Sequence, residues 1–341
     1  MELKKTLLIT VVLSLIGLTI WEIYWRSEGY YPTIDDNKSL WAVQRDKIEA
    51  LAKDDVILLG SSRVLFDIQI YQWEQVTGRR PIQLASAGST PLPSFRDIVR
   101  NTDFAGTIIV GVTPGLFFST TSPIAPPWKS IQEKVDYFKD FTYAQRLNHA
   151  LSIPLQKNIT FLSDVEGIDG INLKELLKKI KLGEPVKNAM PPFHEFSDID
   201  ENRNNRMTKK TATDTAFANT VKKVWQFFGK DSKPLEKEAT MSYFLEDAKI
   251  FKARGGNLIL LRCPSTGYYK IGEAKFAPRK EFWDVLVKRA QVKSYHYQDY
   301  DWLNHFDCPE WSHLSANDAE TFTLALAKIM MKDYALSNRK K

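Results

Sequence analysis

The sequence predicts a three-layer α/β/α domain built on a five-stranded parallel sheet, with one membrane-spanning helix ahead of it and a mainly helical insertion within it. Three observations lead there. An uncharged apolar run fills residues 6–21. Five short apolar runs further on lack strict polar alternation, as strands covered on both faces do. Helix-length segments separate several of these runs, which is the rhythm of strands joined by helical crossovers. At 341 residues with 43% hydrophobic content and no repeat period, the chain can bury such a core and is neither a solenoid nor disordered.

The first element is the apolar run. Its uncharged part covers about 24 Å at a rise of about 1.5 Å per residue, a little under a hydrocarbon layer of about 30 Å. Lys4 and Lys5 on one side, and Trp21, Tyr24 and Trp25 on the other, complete the span and mark the two interfaces. Because the lysines come first, the N-terminus is expected in the cytoplasm and everything after about Arg26 outside, in a periplasmic or extracellular space. A cleaved signal peptide would end in small residues. This segment ends in Trp-Glu-Ile-Tyr-Trp-Arg, so residues 1–26 read as an uncleaved anchor.

Strands are expected at 56–59, 82–84, 107–112, 257–261 and 294–297, with helices around 68–77 and 94–101. Between Pro126 and Lys237 the rhythm breaks: a Lys-rich helical piece at 173–182, a turn at Pro191-Pro192 and a polar stretch at 198–210 follow one another. Residues 126–237 are therefore assigned to an insertion, and 27–125 with 238–341 to the α/β domain. Helix is expected again at 215–228 and 236–254, where Gly255-Gly256 hands the chain to the fourth strand. The last helix is expected at 317–333, with Leu324, Leu326, Ile329 and Met330 spaced to pack on the sheet.

Ligands in open parallel sheets bind beyond the carboxyl ends of the strands, so the residues after each strand are the candidates for chemistry. Gly60-Ser61-Ser62-Arg63 follows the first strand, on a sharp turn into a helix where unpaired backbone N–H groups can hold an oxyanion. Ala85-Ser86-Ala87-Gly88 follows the second and Gly111-Val112-Thr113 the third. Ahead of the last helix stands Asp307-Cys308-Pro309-Glu310-Trp311-Ser312-His313, in which a carboxylate precedes a histidine by three residues and can hold its Nδ1–H. Asp307 competes with Glu310 for that role. Of the other histidines, His149 and His194 fall in the insertion, His296 in a strand, and His305 lacks the placement before a helix.

Ser61 reads as a helix cap. Arg63 either attracts an anionic substrate or pairs with a helix carboxylate such as Asp67, and Arg262 and Ser265 either line the cleft or belong to an ordinary polar loop. Cys263 and Cys308 fit no metal-ligand spacing and read as free thiols ahead of a single disulfide. No metal or organic cofactor is called for. A net charge of +6, scattered along the chain, suits an anionic membrane or glycan and is too small to argue for nucleic acid. Dinucleotide, P-loop, zincin and α/β-hydrolase signatures are all missing from the sequence.

The blocks Gly60-Ser61-Ser62 and Glu310-x-x-His313, in this order, resemble the SGNH hydrolase superfamily, whose first block is Gly-Asp-Ser and whose last is Asp-x-x-His. The Gly-Ser-Ser form is similar to a membrane-anchored branch that includes the teichoic-acid D-alanyl transfer protein and the alginate O-acetyltransferase proteins. The resemblance covers about residues 54–120 and 255–330. It implies a flavodoxin-like fold, with Ser62 as nucleophile, His313 as base and Glu310 as orienting acid. The oxyanion hole would come from the Ser62 and Gly88 N–H groups, with Thr113 where the family supplies an asparagine. It further implies an O-acyltransferase or acyl esterase acting through an acyl-enzyme on cell-surface or secreted polysaccharide, with a membrane-bound O-acyltransferase as partner. The missing asparagine keeps a second function in view: a non-catalytic accessory or binding protein of a polysaccharide-modification or export system.

Overall fold

A computed structural model of the chain describes residues 2–162, 195–230 and 233–338. The five apolar runs form one sheet: β1 (Val56–Leu59), β2 (Ile82–Gln83), β3 (Thr107–Gly111), β6 (Asn257–Arg262) and β7 (Lys293–His296). A separate antiparallel pair, β4 (Ser197–Ile199) and β5 (Asn205–Met207), lies between β3 and β6 in the chain. The helices, in chain order, begin with α1 (Glu2–Ser27), α2 (Lys38–Asp46), α3 (Ser62–Asp67), α4 (Ile70–Thr77) and α5 (Leu92–Asn101). Next come α6 (Pro114–Phe117), α7 (Pro126–Lys139), α8 (Tyr143–Gln156), α9 (Lys209–Thr213) and α10 (Thr215–Lys230). The series ends with α11 (Lys237–Ala253), α12 (Gly267–Phe276), α13 (Trp283–Ala290) and α14 (Ala316–Asn338).

The sheet order is β2-β1-β3-β6-β7 and every neighbouring pair is parallel, with Ile57 opposite Ile82, Leu58 opposite Ile109, and Ile109 opposite Ile259. Strand side chains alternate between two faces, and here both faces are covered. Leu58, Ile109, Ile259 and Leu261 pack under α3, α4 and α14, while Ile57, Leu59, Ile108, Val110, Leu258 and Leu260 pack under α5, α7, α11 and α13. This double burial is why β1, β3 and β6 read as apolar runs rather than alternating. The helix expected at 68–77 is α4, which starts two residues later, and a separate short helix, α3, precedes it. Ile68 and Gln69 are extended between them, because the Gln69 N–H donates to Thr323 Oγ1 (2.9 Å) and its amide to Asn205 O (2.8 Å) and Phe66 O (2.7 Å).

Segment 126–237 is built into these same cores where it is described. Trp128, Ile131 and Val135 of α7 join the α5/α11 side, and Phe196, Ile199, Met207, Phe217 and Val221 join the α3/α14 side. Its polar stretch at 198–210 holds β4 and β5, strands that the polar composition hid. The helix expected at 173–182, the Pro191-Pro192 turn and His194 lie outside the described residues.

Among the described residues, α1 is the one helix long and apolar enough to cross a membrane, with a mean hydropathy of 2.1 over its most apolar window and none of that window buried against the body. Its last turn is fixed to the body. The Glu22 carboxylate accepts the N–H groups of Thr160 (2.9 Å) and Phe161 (3.3 Å), Arg26 donates to Asn158 O (3.0 Å), and the Trp25 and Tyr30 rings meet edge to face at 5.0 Å.

Candidate active site

The chain leaves β1 outward to β2 and returns to the other side of β1 for β3, so the connections diverge and open a crevice at the carboxyl ends of β1 and β3. Gly60 and Gly111 end those two strands, and the side chain of Val64 fills the space above them. A Cβ on Gly60 would stand 2.6 Å from Val64 Cγ2, and one on Gly111 only 2.0 Å from the same atom. Glycine at both places is what lets α3 sit directly on the strand ends. Ser61 takes the N-cap position, yet its hydroxyl does not cap the helix; it lies 2.7 Å from Thr113 Oγ1 and ties the loop after β1 to the loop after β3. Ser62 opens α3 and is partly exposed.

His313 comes from the loop that leads into α14. Its Nδ1 is 2.9 Å from Glu310 Oε1, which also accepts the His313 N–H (2.6 Å) and the Ser312 N–H (3.3 Å), while Glu310 Oε2 accepts the Trp225 indole N–H. An ionised carboxylate only accepts, so this bond assigns the proton to Nδ1 and leaves the lone pair on Nε2. Asp307 is exposed, and Glu310 rather than Asp307 is the carboxylate on His313. The longer acid reaches Nδ1 while also collecting two backbone N–H groups of its own loop. Nε2 is buried and has no hydrogen-bond partner among the described residues.

The imidazole stacks on Phe66 at 4.4 Å between centroids, with Phe196 and Trp225 edge-on at 5.7 and 6.1 Å. Phe66 and Ser62 are four apart on α3 and share one helix face. The helix turn that supports the histidine ring is thus the one that carries the serine. Two further bonds hold this register: Arg63 Nε to Ser312 Oγ (3.3 Å) and the Leu314 N–H to Asp67 Oδ1 (3.0 Å). Gly88 stands in an exposed turn after β2 at φ +65°, and the Ser86 N–H to Gly60 O bond (3.0 Å) lays that loop beside the loop after β1. Trp225 was not legible as a site residue. It follows Phe217 and Val221 at four-residue spacing on α10, a pattern that reads as core.

Arg63, Arg262 and Ser265 lie behind the site rather than along an open cleft. Arg63 places Nη1 2.8 Å from Glu273 Oε1, so its carboxylate partner is Glu273 and not Asp67. Arg262 pairs with Glu273 Oε2 and donates to Cys263 O (2.9 Å), and Ser265 Oγ donates to Glu273 Oε2 at 2.9 Å. All three side chains are buried, because one carboxylate between two guanidiniums compensates the charges that close packing takes out of water. Cys263 and Cys308 are buried free thiols, and burial pushes both well above the ordinary thiol range.

Burial also pushes the Asp67 carboxyl well above its ordinary value, against the opposing pull of the Leu314 N–H and Arg63. A carboxyl whose folded pKa exceeds the unfolded value of about 3.9 contributes stability that is complete below that pH and is lost as pH rises through the folded value. Asp67→Asn keeps an acceptor for the Leu314 N–H and cannot ionise. The melting temperature of the variant relative to wild type is therefore expected to rise as pH increases from about 4 towards and through the raised folded value. Thermal melts across that range check it, and a constant difference would contradict a buried neutral carboxyl.

The chain matches no protein-family model and no curated protein sequence.

Proposed function

We propose that this chain is an SGNH-type serine O-acyltransferase or acyl esterase, held in the membrane by α1 with its α/β body outside the cytoplasm. The observation that supports this best is the state of His313: one ring nitrogen is fixed by a buried carboxylate, the other is buried without a partner among the described residues, and the ring stacks on Phe66 of the helix face that carries Ser62. Leaving a buried polar atom without a partner costs about 1–3 kcal/mol. Such orphans in native structures call for a reason, and a catalytic base waiting for its proton is one. Catalytic hydrogen bonds commonly tighten only when substrate binds.

In this reading His313 Nε2 takes the Ser62 proton as Oγ attacks an ester carbonyl. The tetrahedral oxyanion is met by the Ser62 and Gly88 N–H groups and the Thr113 hydroxyl, and Glu310 stabilises the imidazolium. Collapse expels the alkoxide, which takes the proton back from His313 and leaves an acyl-Ser62. Water or a sugar hydroxyl then gives its proton to His313 as it attacks the acyl carbon, and His313 returns that proton to Ser62 Oγ as the acyl–oxygen bond breaks. The acceptor is a cell-surface or secreted glycopolymer, and a membrane-bound O-acyltransferase supplies acyl groups across the bilayer.

One observation favours a second reading, a non-catalytic accessory protein: Thr113 stands where the resembling family has an asparagine, and its hydroxyl is engaged with Ser61. A fluorophosphonate probe separates the two. Labelling of the wild-type chain that disappears in Ser62→Ala supports the enzyme, and a folded wild-type chain that never labels supports the accessory role.

A further inference from the structure

We infer that α8 is a second membrane contact, an interfacial helix whose outward face lies in the headgroup region of the bilayer beside α1; this rests on α1 being an anchor. Tyr143, Leu147, Leu151 and Leu155 follow one another at four-residue spacing and are 91%, 61%, 60% and 49% exposed. Ala144, Ala150 and Pro154 widen the same exposed face. The one charged residue of α8, Arg146, is turned to Asp46 on the body, where its guanidinium meets both carboxylate oxygens. The opposite face of the helix is the buried one, with His149 and Gln156 inside. A row of large apolar side chains with no charge among them is poorly placed in water, and a helix polar on one side and apolar on the other suits the boundary between headgroups and acyl chains.

The position of α8 points to lipid as the occupant. The chain passes from Gln156 at the end of α8 to a short 3-10 turn, Thr160–Leu162; Glu22 of α1 accepts from that turn, and Arg26 of α1 donates to Asn158 O just ahead of it. At that level α1 carries Trp21, Tyr24 and Trp25, the residue types that settle at a membrane–water interface. The end of α8 is thus held at headgroup height by bonds within the protein. Leu155, 49% exposed, and Leu162, 39% exposed, flank the clasp and add apolar surface on either side of it. The clasp fixes the body to the end of α1, but a single spanning helix is itself free to tilt in the bilayer. A second contact about 21 Å long, at about 1.5 Å per residue, fixes the tilt of the body and the height of Ser62 above the bilayer.

The test uses the full chain reconstituted in vesicles of phosphatidylcholine and phosphatidylglycerol. Leu147→Cys and Leu151→Cys are each labelled with an environment-sensitive fluorophore, and Lys249→Cys on the exposed side of α11 serves as reference. Native Cys263 and Cys308 are buried and protected from the reagent. Nitroxide-bearing lipids are expected to quench the α8 labels at least about threefold more than the reference, as apolar faces seated among headgroups require. Equal quenching at all three positions, in a chain that resists carbonate extraction, overturns the inference and leaves the anchor standing. Release by carbonate overturns the anchor and this contact together. Labels shielded from both lipid nitroxide and aqueous iodide also overturn it, since a second copy, or residues 163–194 of this chain, would then cover the face.

Discussion

Glu310→Gln is expected to slow the reaction of Ser62 with a fluorophosphonate by about ten-thousand-fold, the scale of loss when the acid of a serine–histidine pair becomes an amide. The bonds in the structure show why no orientation of the amide suffices. Glu310 Oε1 accepts from His313 Nδ1, from the His313 N–H and from the Ser312 N–H, and Oε2 accepts from the Trp225 indole. With the amide oxygen toward His313, the amide N–H₂ faces the indole N–H, donor against donor. With the amide reversed, the N–H₂ group faces Nδ1 and two backbone donors, and the imidazole keeps a partner only by moving its proton to Nε2, which removes the base. Glu310→Asp keeps the charge and is expected to restore most of the rate, at the cost of the bond to Trp225. Second-order labelling rates for the two variants decide the matter. A Gln variant as fast as wild type would mean that His313 does not serve Ser62.

Glu273→Gln is expected to destabilise the fold by about 3–5 kcal/mol, the cost of leaving a buried charge without its partner. Glu273 sits between Arg63 and Arg262 with side chains no more than 7% exposed, and it also accepts from Ser265. Removing its charge strands two guanidiniums that have no water to turn to. The same change reaches the site, because Arg63 follows Ser62 in the chain and holds Ser312, the neighbour of His313. Burial would raise the Glu273 carboxyl, but Arg262, Arg63 and the Ser265 hydroxyl together outweigh it and hold the group below its ordinary value. A depressed carboxyl contributes stability above the unfolded value of about 4.3 and loses it as pH falls through the folded value. Denaturant titrations are therefore expected to show a wide gap between wild type and Glu273→Gln at neutral pH that narrows on acidification. A gap unchanged at acid pH would place the loss in packing rather than charge.

The parallel sheet was legible in the sequence because its signal is local. Residues 56–59 are assigned identically from sequence and structure, and the expected bounds of the other four strands differ from the observed ones by no more than one residue at either end. A strand covered on both faces reads as a run of apolar residues, as β1, β3 and β6 do, and that needs no knowledge of its partners. The polar strands β4 and β5 were not legible, since their place depends on Asn204 and Asn205 bonding to the separate helix α4 and to Gln69.

The sequence by itself determined the apolar character of α1, the strand–helix rhythm and the positions of Ser62, Glu310 and His313 after strands or before a helix. Only the tertiary structure decided which carboxylate holds His313, that Trp225 from a distant helix completes that hold, and that Arg63, Arg262 and Ser265 turn to Glu273. Periodicity and spacing are properties of neighbouring residues along the chain. The direction of a hydrogen bond and the burial of a charge are properties of what packs against it from elsewhere, and these arise only when the sheet and its two helical layers close.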